Sequence, residues 1–99
     1  MYELEVLPEA VQENEQVVSW LIEHVSVERA GAYATAILRA LDEVIELPFA
    51  WPRWKTQPDV HVRHLRRISY SIVYRRDGVV LVIAFAHMRR RPGYWLDRL

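Results

Sequence analysis

The sequence predicts an α+β domain of order β-α-α-β-β-β, with a helical hairpin packed on a mainly antiparallel sheet and a short C-terminal tail. Three observations carry this. Apolar residues recur at helical spacing through most of residues 8–47. The second half holds three short runs rich in Val, Ile and Tyr, and Asp77-Gly78 stands between the last two of them.

Tyr2–Leu7 alternates apolar and acidic residues, the pattern of a half-buried edge strand. Pro8 suits a first helical position and Glu9 the positive end of the helix dipole. Val11, Val18, Leu21, Ile22 and Val25 are then expected on one apolar stripe. Ser26 is a candidate N-cap for a second helix, whose inner face would carry Ala30, Tyr33, Ile37, Leu41, Val44 and Ile45 before Pro48 ends it. Residues 49–59 form a connector bearing Trp51 and Trp54, which are expected to cover the sheet edge. Val60–Ile68 and Tyr70–Arg76 read as strands. Asp77-Gly78 is expected to form a type I′ turn, with positive φ at both positions. Val79–Ala86 is apolar at every position, so it should lie centrally and be covered on both faces, by the helices on one side and by the tail, the Trp loop or a partner on the other.

Ninety-nine residues form a single domain, 1–99. The absence of cysteine excludes a disulfide framework and thiolate chemistry. No signal-like start and no membrane-length apolar run occur, so a soluble, cytoplasmic protein with no membrane partner is expected. The formal charge of zero conceals a division. Residues 1–50 hold ten acids against two bases, Arg29 and Arg39, a balance of −8; residues 51–99 hold eleven bases against three acids, a balance of +8. Such a half suits a polyanion-facing surface. No metal and no cofactor are expected. His61 and His64 are three apart, hence on opposite faces of a strand, and no carboxylate cluster joins them.

The run Ile68-Ser69-Tyr70-Ser71-Ile72-Val73-Tyr74-Arg75, the apolar strand, and the ending His87-Met88-Arg89-Arg90-Arg91-Pro92-Gly93-Tyr94-Trp95 together resemble the RelE/ParE superfamily of toxins from type II toxin–antitoxin systems. The resemblance spans the whole chain. It implies a toxin neutralised by a cognate antitoxin in a hetero-oligomer, with one of two targets. RelE-like members cleave messenger RNA on the ribosome, whereas ParE-like members bind DNA gyrase and lack the nuclease residues. Many nucleases of the family have lysines near the first strand of the second half, where here only Lys55 stands close, in a loop; others use a glutamate as base, and none lies in the basic half. The long helical hairpin is a ParE-like trait.

Metal-free RNA cleavage needs a proton acceptor for the 2′-hydroxyl, cations for the charge building on phosphate, and a proton donor for the 5′-oxygen. Arginine suits phosphate because its planar fork binds two oxygens; histidine suits proton transfer. The candidate catalytic residues are His87, Arg90 and Tyr94, the last two lying where the family's sites place Arg and Tyr. Arg63, Arg67 and Arg75 are candidate phosphate ligands, and Trp95, with Tyr94, a candidate base-stacking residue. Strand parity places Val79, Leu81, Ile83, Phe85 and His87 on one face, and sets the adjacent Arg66 and Arg67 on opposite faces. Structural roles stand beside these: His87 as a strand-end cap, Arg89-Arg90-Arg91 as a landing strip for acidic antitoxin residues, and Tyr70 and Tyr74 as packing groups.

Overall fold

Pro8 has no amide to donate to a ladder and fixes φ for a first helical turn, so the opening strand stops before it. In the computed structural model, which describes residues 2–99, this strand is β1 (Leu4–Val6) and the helix after it is α1 (Pro8–His24). Ser26 caps α2 (Val27–Glu46), its Oγ accepting from the Arg29 amide at 3.1 Å. The chain continues through β2 (Arg53–Trp54), β3 (Gln57–Leu65), β4 (Tyr70–Asp77) and β5 (Val79–His87) to a 3-10 turn at Leu96–Arg98. The strands form one sheet in the order β1-β5-β4-β3-β2, parallel between β1 and β5 and antiparallel elsewhere. The α+β class and element order follow the sequence, and the Pro-rich connector adds the two-residue edge strand β2.

Two apolar layers sandwich the sheet. The helices cover Ile72, Tyr74, Val80, Val82 and Phe85; Trp54, Tyr94 and Trp95 cover Val60, Val62, Val73, Ile83, Ala84 and Ala86. The tail and the Trp loop therefore cover the second face of β5. That strand is thus no open surface for a partner segment, although its composition also invited that expectation. Tyr74 is fully buried and donates its hydroxyl to the Pro48 carbonyl at 2.7 Å, which fixes the end of the helical hairpin to the sheet.

Three local expectations are corrected. Helix α2 buries Ala30, Tyr33, Ile37, Leu41 and Val44 as its spacing predicts, but α1 turns Ala10, Val17, Val18 and Leu21 inward and leaves Val11, Ile22 and Val25 exposed. Glu13 lies on that inner stripe, where apolar periodicity does not look for a carboxylate. The β3–β4 connection begins at Arg66, so Arg66 and Arg67 belong to a turn and do not alternate across a strand. Finally, Asp77 remains in β4, paired with Val79, and only Gly78 has positive φ (75°), so the hairpin turn is not type I′.

Parity along β5 is corrected as well. Val73 pairs with Ala84 and Tyr74 with Val82, leaving Ile83 as the extra residue of a β-bulge. Ile83 and Ala84 both join the tail-side layer. Val80 and Val82 before the bulge, and Phe85 after it, face the helices. His87 follows Phe85 to the helix side and shares no face with Leu81 or Ile83.

Candidate active site at the turn end of the sheet

The end of the sheet where β3 turns into β4 and β5 runs into the tail gathers five of the ten Lys and Arg side chains that have no carboxylate partner among the described residues. Ser69 closes the turn with φ 61°, the one non-glycine residue with positive φ among the described residues, and its carbonyl accepts from the Met88 amide at 2.9 Å. This bond holds the turn bearing Arg66 and Arg67 against the start of the tail bearing Arg89, Arg90 and Arg91. None of these five arginines has a carboxylate partner among the described residues.

His87 sits between the turn and the tail, opposite Tyr70 in the ladder, with its ring edge-on to Tyr70 at 4.9 Å. Tyr70 in turn meets Tyr33 of α2 edge-on at 5.3 Å. The Arg89 amide donates to His87 Nδ1 at 3.0 Å. A neutral His87 therefore carries its proton on Nε2 and presents a donor suited to a phosphate oxygen. Accepting a proton at Nδ1 requires that the Arg89 amide let go. The histidine and Arg90 line both a groove of about 1190 Å³ on the helix side and a smaller hollow of about 290 Å³ on the tail side. In the latter, His64 and Ser71 are hydrogen-bonded at 2.8 Å beside Arg66 and Arg91.

Glu13 organises the tail. Its two oxygens accept from both terminal nitrogens of Arg98, at 2.9 and 3.0 Å, as a bidentate pair. It also accepts from the Tyr94 hydroxyl and from the Phe85 amide. Arg98 donates once more to the Ile83 carbonyl at 3.0 Å, so the bulge is held by the same group. The bond to Glu13 pushes the Arg98 pKa up. Burial, then the bond to Glu13 and its charge, push the Tyr94 phenol well up, so it stays protonated near neutral pH. Arg90 stacks its guanidinium over the Tyr94 ring at 3.9 Å. At Gly93 (φ 79°) an added Cβ would meet Leu96 at 3.0 Å, which fixes a glycine at this bend of the tail.

The structure brings together His87, Arg67 and Arg90, with Tyr94 beneath Arg90. It does not bring Arg63 and Arg75 to them, and Trp95, which lines the tail-side hollow with His87 and Arg90, is buried. Arg63 points to the helix side, where it pairs with Glu43 at 3.0 Å and lies 4.1 Å over Trp51. Arg75 stands near the Gly78 turn, paired with Asp59 at 2.7 Å. Trp95 is 2% exposed and edge-on to Trp54 at 4.9 Å, a core ring with no free face for a base. Glu13 and Arg98 join this end of the molecule without having been expected from the sequence. A carboxylate in the series 10-13-17-21 of an otherwise apolar helix stripe was the signal for the first.

No family model matches the sequence, and none of the curated proteins does. Solved structures do. A chain of the chromosomal ParDE toxin–antitoxin system of P. aeruginosa aligns with a TM-score of 0.69 and 16% identity, over 90% of this chain and 98% of that one. The isolated E. coli RelE toxin aligns with a TM-score of 0.64 and 22% identity, over 99% of this chain and 96% of that one. The chain has the RelE/ParE toxin fold. Sequence identities this low carry the architecture and leave the chemistry to the chain's own residues.

Proposed function

We propose that the protein is the toxin of a type II toxin–antitoxin pair and acts by metal-free cleavage of RNA at the turn end of the sheet. The observation behind this reading is the set of five arginines without carboxylate partners around His87, in a fold shared with ParE and RelE toxins. In the reaction the 2′-oxygen attacks the adjacent phosphorus and the bond to the 5′-oxygen breaks. A 2′,3′-cyclic phosphate and a 5′-hydroxyl result; one proton leaves the 2′-hydroxyl and one reaches the 5′-oxygen. Arg67 and Arg90 hold the phosphate and stabilise its developing charge. His87 donates from Nε2 to the same phosphate and moves a proton once Arg89 releases Nδ1. Tyr94 acts as a positioning residue, with its hydroxyl on Glu13 and its ring under Arg90.

The partner is a cognate antitoxin whose acidic residues neutralise the exposed arginines, and the ribosome is the setting of cleavage. A complex carried by charge weakens as salt rises. The proposed site of action is the cytoplasm; among the described residues no helix is long and apolar enough to cross a membrane. A second reading is favoured by one feature. Trp20, Ile22, Val25 and Val27 are exposed at the hairpin tip, an apolar surface suited to protein contact, as a gyrase-directed toxin requires. The deciding experiment is a short pulse of expression followed by RNA and DNA analysis, for the native chain, His87→Ala and Arg90→Ala. Rapid RNA loss that both substitutions abolish supports cleavage. Intact RNA with damaged DNA overturns it in favour of gyrase.

A further inference from the structure

The helical hairpin is acidic, and RNA should avoid it. Yet the large groove between the hairpin and the β3–β4 turn is lined on the α2 side by Arg29 and Arg39, the only two bases of residues 1–50. Both are exposed and neither has a carboxylate partner among the described residues. The acids of the hairpin stay out of the lining, apart from Glu13, whose oxygens are taken by Arg98, Tyr94 and Phe85. On the opposite wall stand Arg67, His87 and Arg90, the residues assigned above to the cut phosphate. Trp20, 56% exposed, and the half-buried Tyr70 give the same groove aromatic surface.

We propose that this groove binds single-stranded RNA flanking the cut phosphate, so that the strand passes from His87 and Arg90 onto α2 and is held there by Arg29 and Arg39. The proposal rests on the RNA-directed function above. Arg29 and Arg39 lie ten residues apart on one helix, about 15 Å along its axis, which spaces them for separate phosphates of one strand. Base stacking on Trp20 or Tyr70 needs no sequence preference, because every base has a π-face.

The test is fluorescence anisotropy with a labelled single-stranded RNA of about twelve nucleotides, 2′-O-methylated so that it cannot be cut, over a range of salt. The double variant Arg29→Ala/Arg39→Ala should bind it about tenfold more weakly at low salt. The slope of log K against log salt should shrink by about 1.4, the change for two lost phosphate contacts on a single strand. Arg53→Ala, an exposed arginine on β2, should behave as the native chain, and circular dichroism should show all variants folded. Native affinity and slope in the double variant would overturn the proposal, even if Arg90→Ala abolishes cleavage and the function above stands. A reduced slope in a protein that cuts no RNA would keep the groove as an RNA site and remove the nuclease. If the double variant binds RNA normally but loses affinity for poly-glutamate, the groove takes an acidic protein and the RNA proposal falls.

Discussion

At the β4–β5 hairpin end of the sheet, Arg75 bonds Asp59 at 2.7 Å, and Arg76 donates to His61 Nε2 at 3.0 Å while lying 4.2 Å over Phe49. At the other end, Arg66, Arg67, Arg89, Arg90 and Arg91 face solvent without a carboxylate among the described residues, and the one nearby acid, Glu13, is spent on Arg98 and Tyr94. Both ends have the same kind of residue and differ only in its pairing. Paired arginines are structural, since their charge is answered within the chain. Unpaired ones raise the local potential and await an anion. The count of basic residues in the second half therefore says little about where free positive charge lies, and their partners say more.

The largest effect should appear when the two ends are compared by activity. Arg90→Ala is expected to lower RNA cleavage by about 10²–10³-fold, the range for removing one group that stabilises transition-state charge, while Arg75→Ala leaves it near native. Equal losses in the two variants, measured on one RNA substrate, would erase the distinction between the ends.

Next comes stability. Glu13→Ala should cost about 3 kcal/mol, because it strands Arg98 in a site where both side chains are mostly buried, 16% and 14% exposed. Asp59→Ala and Glu43→Ala, which break more exposed pairs, should each cost about 1 kcal/mol or less. Denaturant midpoints measured at one pH would give all three values.

A smaller effect should follow pH. Burial raises the phenol pKa of Tyr33, Tyr74 and Tyr94 above the ordinary value of 10.0, so the folded chain favours their neutral forms. A raised value means stability fully present below about pH 10 and lost as pH rises through the folded-state values. Melting temperature should therefore fall above about pH 10, and less steeply in Tyr94→Phe. The smallest effect concerns α2 itself: an added Cβ at Gly31 meets nothing within 4 Å, so Gly31→Ala should stabilise by about 0.5–1 kcal/mol in thermal unfolding.

Much of the architecture was legible because periodicity reports burial directly. The inner face of α2, the Ser26 cap and the two-sided burial of β5 each follow from residue spacing or composition. The site was legible only in part, because it depends on pairing between distant segments. Nothing in the local sequence around Arg63 announces Glu43, and nothing around Trp95 announces Trp54. The bulge at Ile83 was equally hidden, since an all-apolar strand has no alternation from which a slip of register can be seen. Arg67 and Arg90 were expected from residue type, and neither has a carboxylate partner among the described residues.

Past Ile83, the direction of each side chain is a matter of odd and even counting. Deleting Ile83 would leave Val82 beside Ala84 in plain alternation and keep Phe85 and His87 on the helix side. The same nine residues of β5 without the bulge would instead turn both to the tail layer, away from the Tyr70 ring and toward His64 and Ser71. No substitution at position 87 achieves that relocation. The aim of the histidine toward Tyr70 is thus set by an extra residue four positions before it, and not by anything at position 87 itself.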